Sequence, residues 1–148
     1  MKQFFLGFLT FLITVLVKAQ EPVRWEYSFE KVSNDRYELH FKASVLSPWH
    51  IYSQFTPEGG PFPTKFNFTK KQSITFEGNV KEIGEKIKRY ESVFGIEVEY
   101  YEEKVDFIQN VKLKKNIKTN FSCTVRYMVC SETQCSLPKT ILFSVPLN

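Results

Sequence analysis

A regular alternation of apolar and polar residues runs through most of this sequence and limits what it can fold into. The run YELHFKASV places Tyr37, Leu39, Phe41, Ala43 and Val45 at every second position. Such residues share one face of a β-strand, whereas a helix would spread them around its axis. Six further runs indicate strands: WEYSFEKV, TKFNFTK, SITFEGNV, VDFIQNVKLKK, TNFSCTVRYMVC and KTILFSVPL. At least seven short strands predict a single all-β domain, an immunoglobulin-like antiparallel β-sandwich.

Two segments interrupt the alternation. The stretch SPWHIYSQFTPEGGPFPTKF carries the glycine and proline residues of a long loop, which we place at residues 53–64. The stretch VKEIGEKIKRYES spaces its apolar residues at helical intervals on either side of Gly84. Because the surrounding sequence is β in character and glycine disfavours helix, we predict a loop there with at most one helical turn.

The N-terminus has the pattern of a secretory signal. Phe4 to Val17 form an almost uninterrupted apolar run, and small residues precede a cleavage site after Ala19. The run is short for a membrane span, so we predict a signal peptide at residues 1–19 and one exported domain at residues 20–148, with no membrane span after cleavage. An uncleaved N-terminal anchor is the alternative. Removing the signal lowers the net charge from +4 to +2, with 18 basic and 16 acidic residues. This near balance argues against nucleic-acid binding.

The chain contains three cysteines, and an exported protein occupies a compartment where disulfides persist. Cys123 alternates with Phe121 and Val125, so we predict that it is a buried core thiol. Cys130 and Cys135 flank the tetrapeptide SETQ, which suits a hairpin loop that would place them opposite each other. Facing residues lie about 4.5–5.5 Å apart at Cα, within reach of a disulfide. The spacing leaves open whether the pair is a structural staple or a redox couple.

We predict no metal site. His50 stands alone, and Cys123 is expected to point into the core, so a zinc site built from cysteine and histidine is disfavoured.

Several segments resemble one known family. CTVRYMVCSETQCSLPKTILFSVPL is similar to the end of the N-terminal periplasmic domain of DsbD, the thiol:disulfide interchange protein. SPWHIYSQ, GGPFPTKFNF and RYESVFGIEVEYY resemble other segments of that domain. The resemblance extends from about Trp25 to Leu147. It implies an immunoglobulin-like sandwich in the periplasm, with redox-active cysteines and no cofactor.

The resemblance also implies roles for particular residues. Cys135 would form the mixed disulfide with a partner, and Cys130 would resolve it. Phe94 would lie over the sulfurs as a lid, with Glu91 as a nearby carboxylate, and Tyr52 would lie beneath the pair. The domain would accept electrons from a thioredoxin-like donor and pass them to oxidised periplasmic proteins, among them disulfide isomerases and cytochrome c maturation factors. It would thus be one component of a protein-disulfide reductase system.

The sequence departs from the family pattern in two ways. The loop between the cysteines holds four residues, one fewer than in the best-known member. DsbD continues into a membrane conduit and a thioredoxin-like domain, whereas this sequence ends at Asn148, so the donor is expected to be a separate protein. The competing prediction is an exported binding module, in which the disulfide is structural and the loop 53–64 recognises a partner.

Overall fold

The computed structural model describes residues 20–114 and 119–147. The predicted signal peptide, residues 1–19, lies outside the described residues. Within the described part of the chain, no helix has the length and apolar character needed to cross a membrane.

Eleven β-strands account for most of the described residues. Their bounds are β1 (Val23–Lys31), β2 (Arg36–Val45), β3 (His50–Tyr52), β4 (Lys65–Phe68), β5 (Ile74–Ile83), β6 (Lys86–Glu91), β7 (Ile96–Tyr101), β8 (Lys104–Leu113), β9 (Thr119–Tyr127), β10 (Val129–Cys130) and β11 (Lys139–Leu147). All strand pairs are antiparallel, in three sheets ordered β1-β2-β8-β5, β11-β9-β4 and β10-β3-β7-β6. The prediction of an all-β, immunoglobulin-like sandwich is confirmed.

Aromatic side chains join the β1-β2-β8-β5 sheet to the β11-β9-β4 sheet. The Phe41 ring of β2 lies 5.5 Å from Phe66 of β4 and 5.2 Å from Phe143 of β11, measured between centroids. Cys123 of β9 belongs to the same core, where it is fully buried and unpaired. Burial raises the pKa of its thiol to about 12. The prediction that Cys123 is a core thiol is therefore confirmed.

The β10-β3-β7-β6 sheet has two buried faces. On one face, Ile51, Tyr101 and Val129 enter the main core. The opposite face carries a second, smaller cluster built on Tyr52, Val98, Tyr100 and Cys130. Because alternate residues of a strand point to opposite sides, a strand anchored in the core by one side chain presents the next to this second cluster.

The prediction of a loop around Gly84 is wrong. Residues 74–83 and 86–91 are the long strands β5 and β6, joined by a two-residue connection. The apparent helical spacing does not mark a common buried face, because Val80 is buried whereas Ile83 and Tyr90 are 59% and 66% exposed. A Cβ on Gly84 would lie 3.0 Å from the Lys104 carbonyl oxygen and 3.1 Å from the Tyr101 ring. Glycine therefore permits a close strand-to-strand turn here.

A buried carboxylate holds the start of the long loop after β3. The Glu82 side chain is only 2% exposed. It accepts hydrogen bonds from the Ser53 hydroxyl at 2.8 Å, the Gln54 backbone N–H at 2.7 Å and the Tyr101 hydroxyl at 2.7 Å. Lys86 lies 3.2 Å from the same carboxylate. These partners satisfy a charge that would otherwise be costly to bury, and they fix the loop against β5.

We expect Glu82→Gln to lower the free energy of unfolding by about 2 kcal/mol. The amide nitrogen of glutamine is a hydrogen-bond donor, and it would face buried groups that are themselves donors. Urea denaturation measures this change. Glu97→Gln, at an exposed position on β7, is the matched control and is expected to leave the midpoint unchanged. Equal midpoints for the two variants would show that Glu82 does not hold the loop.

Candidate functional site

The second cluster carries a disulfide. Cys130 and Cys135 are bonded, with an S–S distance of 2.01 Å, and form an antiparallel bridge across a hairpin. The four intervening residues make the turn predicted from their spacing. The Ser131 N–H donates to the Gln134 carbonyl at 2.7 Å, and the Ser131 hydroxyl accepts from the Thr133 and Gln134 N–H groups.

The two sulfur-bearing residues differ in exposure. Cys130 is 2% exposed, whereas Cys135 is exposed. A thiolate from another protein can therefore approach Cys135 but not Cys130. Thiol–disulfide exchange proceeds by attack on one sulfur of a disulfide, and access helps to decide which one. This difference in exposure favours attack at Cys135, and the roles of Cys135 and Cys130 in exchange stay predictions.

Strand pairing explains why Cys130 is buried. In β10, Val129 pairs with Ile51 and Cys130 pairs with His50 of β3. Val129 points into the main core, so the next side chain, Cys130, points to the opposite face. There it packs with Tyr52 and other members of the second cluster. Tyr52 thus shares a buried cluster with Cys130, and its assignment as the residue beneath the pair stays a prediction.

An ion-pair network ties β6 to the loop between the cysteines. The Arg89 guanidinium donates to Glu132 at 2.9 Å through Nη1 and to Glu91 at 2.9 Å through Nε and 2.6 Å through Nη2. It also lies 5.6 Å from the centre of the Tyr100 ring. The hydrogen bond from Arg89 lowers the pKa of Glu132. Arg89 therefore offsets the negative charge that Glu132 would place beside the sulfurs.

The sequence analysis did not identify Arg89, and Arg126 is the basic residue that lies closer to Cys130 along the chain. The Arg126 guanidinium instead lies 4.4 Å from the centre of the Phe62 ring. Arg89 is 43 residues from Glu132, and only the pairing of β6 with β7 brings it to the site.

His50 is a second residue that the sequence analysis did not place in the site. Its Nε2 lies 3.1 Å from the Tyr52 hydroxyl, and its ring centroid lies 4.4 Å from that of Tyr100. Burial lowers the pKa of His50, and the positive charge of Arg89 lowers it further. Burial raises the pKa of Tyr52 to about 12, so this phenol stays protonated at neutral pH. The available signal was that His50 and Tyr52 are two residues apart and so share a strand face.

The candidate lid lies at the β6–β7 connection. Glu91 ends β6 and its carbonyl accepts from the N–H groups of Phe94 and Gly95, at 3.1 and 2.8 Å. Phe94 is half-buried and Val93 beside it is 85% exposed. The assignment of Phe94 as a lid and of Glu91 as a supporting carboxylate stays a prediction.

The described residues contain one group able to hold a metal ion, and it lies outside this site. Ligand atoms of Glu30, Glu38 and His40 lie within 4.8 Å of one another on β1 and β2. The cysteine pair belongs to a different sheet, and its chemistry requires no cofactor.

Comparison with known proteins identifies the family. The family model for the N-terminal domain of the thiol:disulfide interchange protein DsbD matches residues 15–147. The chain belongs to this family. The resemblance seen in the sequence is thereby confirmed for almost the whole domain, and thiol–disulfide exchange is the chemistry for which the family is named. A comparison with curated proteins finds no significant match.

Solved structures with similar folds include members of the same family. The DsbD N-terminal domain of Neisseria meningitidis, in complex with the PilB N-terminal domain, has a TM-score of 0.52 and 13% sequence identity. The match covers 87% of this chain and 86% of that one. The reduced form of the Neisseria domain gives a TM-score of 0.46 at 13% identity, over 82% and 85% of the two chains. The GAE domain of yeast GGA1 gives 0.48 at 12% identity, over 88% and 96%.

We expect the three thiols of the fully reduced protein to alkylate at very different rates. Cys135 should react with iodoacetamide at least about tenfold faster than Cys130 or Cys123, because both of these residues are buried and inaccessible to the reagent. Mass spectrometry of quenched samples measures each rate. The same experiment in denaturant is the control and should make the three rates similar. A Cys130 thiol that reacts as fast as Cys135 would contradict the asymmetry.

Proposed function

We propose that this protein is an exported thiol–disulfide exchange relay that carries reducing equivalents between periplasmic proteins through Cys130 and Cys135. The observation that carries the proposal is the asymmetric disulfide, with one sulfur exposed at a hairpin and the other buried in an aromatic cluster. Membership of the DsbD N-terminal family supports the same chemistry.

The first half-reaction loads the relay. A thiolate of a reduced partner attacks Cys135 Sγ, the Cys130–Cys135 bond breaks, and Cys130 leaves as a thiolate that takes up a proton. The second thiolate of the partner then attacks the partner's first sulfur, which is bonded to Cys135 in the mixed disulfide. Cys135 is released as a thiol, so the partner is oxidised to a disulfide and this protein is reduced by two electrons.

The second half-reaction reoxidises this protein and reduces the acceptor. The Cys135 thiolate attacks the disulfide of an acceptor, forming a mixed disulfide and releasing one acceptor thiol. Cys130 loses its proton and attacks Cys135 Sγ, which re-forms the internal disulfide and releases the second acceptor thiol. The burial of Cys130 favours this intramolecular step, because the sulfur within its reach is Cys135 Sγ, which is then part of the mixed disulfide.

Exposed apolar side chains are available for docking a partner. Leu137, two residues after Cys135, is 86% exposed, and Val93 at the β6–β7 turn is 85% exposed. In the relay, Phe94 serves as the lid that shields the disulfide. Glu91 binds Arg89, and Arg89 in turn binds Glu132, which ties β6 to the loop between the cysteines.

A thioredoxin-like protein is the proposed donor, and oxidised periplasmic thiol proteins, including cytochrome c maturation factors, are the proposed acceptors. The fold similarity to a Neisseria DsbD domain that forms a complex with the PilB N-terminal domain supports a protein partner. The predicted signal peptide at residues 1–19 supports export.

The competing function is a binding module with a structural disulfide. A hairpin disulfide closes a very short loop, and the chain-entropy model gives such a loop only about 2 kcal/mol of stabilisation. The long loop 53–64 would then be the binding element. The reduction potential separates the two functions.

We expect the Cys130–Cys135 couple to have a midpoint between about −120 and −270 mV, the range of exchange-active pairs, rather than below about −300 mV as structural disulfides do. Thiol trapping across graded redox buffers measures it. Cys123→Ala is the control and should not move the midpoint, since that thiol is buried in the main core. A pair that stays oxidised beyond the lower limit would make the disulfide a staple and favour the binding module.

A further inference from the structure

His50 directly faces Cys130 across the β3–β10 pair. Facing residues of antiparallel strands project to the same side, with Cβ atoms about 4.5–5.5 Å apart. Both residues are buried, at 3% and 2% exposure. The imidazole and the leaving sulfur therefore share one water-poor environment.

Among the described residues, the charged groups that act on this imidazole are Arg89, Glu91 and Glu132. Arg89 of β6 is bound by both Glu91 and Glu132, so its charge is largely neutralised. Tyr52 and Tyr100 complete the surroundings. Nε2 lies 3.1 Å from the Tyr52 hydroxyl. A neutral imidazole has one N–H and one acceptor nitrogen, so in the tautomer whose Nε2–H donates to Tyr52 the acceptor is Nδ1. Because burial lowers the pKa of His50, the ring is neutral at pH 7 and can act as a base.

The relay needs such a base. A buried thiol resists ionisation because a low-dielectric environment disfavours the thiolate, yet only the thiolate of Cys130 can attack the mixed disulfide. No free cation in the described residues of this cluster would stabilise that thiolate. A neutral imidazole opposite the thiol can accept its proton and so allow the sulfur to attack.

We propose that His50 accepts the proton of the Cys130 thiol when this sulfur attacks Cys135 in the mixed disulfide. The proposal rests on the relay function. The proton moves from Cys130 Sγ to the imidazole, and the sulfur electron pair forms the new bond to Cys135 Sγ. The bond between Cys135 and the partner sulfur breaks, and the departing thiolate or solvent takes the proton from His50. In this step Cys130 is oxidised and the partner sulfur is reduced, while Cys135 exchanges one disulfide bond for another.

The step can be isolated with 5,5′-dithiobis(2-nitrobenzoate) and the fully reduced protein. Cys135 attacks the reagent and releases one thionitrobenzoate at a rate that depends on reagent concentration. Cys130 then releases the second in a unimolecular phase. Cys130→Ser should stop the reaction after the first release, which identifies the second phase as resolution by Cys130.

With His50 as the base, we expect the rate of the second phase to be nearly level between pH 7 and 8, since the imidazole is neutral throughout. His50→Gln retains a polar partner for Tyr52 but cannot take up a proton. This variant should slow the second phase by about 100-fold at pH 7, within the usual range for general base catalysis. Its rate should also rise by about tenfold per pH unit, as expected for a free thiol below its pKa.

The change of slope distinguishes proton transfer from packing. A structural role would lower the rate equally at every pH and leave the slope unchanged, which would overturn the proposal. His50→Phe retains an aromatic ring beside Tyr100 and should give the same steep profile, so the test does not depend on one variant folding. His40→Gln changes the only other histidine of the chain, which lies in another sheet, and should retain the wild-type profile.

The outcome for the unmodified protein separates the two hypotheses. If wild-type protein cannot be reduced, or releases one thionitrobenzoate only, the relay itself fails and the role of His50 fails with it. If wild-type protein shows both phases while His50→Gln keeps a level profile, the relay stands and His50 is not its base.

Discussion

The site depends on strands that are buried on both faces. β3, β7 and β10 each place alternate side chains in the main core, where Ile51, Tyr101 and Val129 anchor them. The intervening side chains must then point the opposite way, and these include Cys130 and Tyr52. Because core packing is dense and resists displacement, these anchors also hold in place the side chains that surround the disulfide on the opposite face.

Buried or half-buried charged side chains hold the loops around the disulfide in place. Glu82 collects three hydrogen bonds and fixes the chain that leaves β3, while Arg89 joins β6 to the loop between the cysteines. A polar group removed from water is costly unless it is paired, so each of these side chains selects one loop arrangement over others. The result is a rigid frame with one sulfur exposed at its edge.

The difference in exposure between Cys130 and Cys135 links the fold to the proposed thiol–disulfide exchange. An immunoglobulin-like sandwich serves many unrelated functions, so the fold alone says little about what this protein does. What distinguishes this chain is that Cys135 is open to a partner while Cys130 faces His50 and aromatic rings. In the proposed relay, exchange would follow an order set by this difference in access, and the buried thiol of Cys130 would need a base to accept its proton.

The sequence by itself determined the sandwich, the core position of Cys123 and the hairpin that joins Cys130 to Cys135. Each of these follows from local information, either period-two alternation or a four-residue spacing. Only the tertiary structure decided that the strand predicted at SITFEGNV continues to Ile83 and that Lys86–Glu91 is the strand β6, because the apolar residues of this stretch also fit a helical spacing. It alone brought Arg89 and His50 to the cysteines, since strand pairing over tens of residues creates those contacts and no local pattern encodes a distant partner.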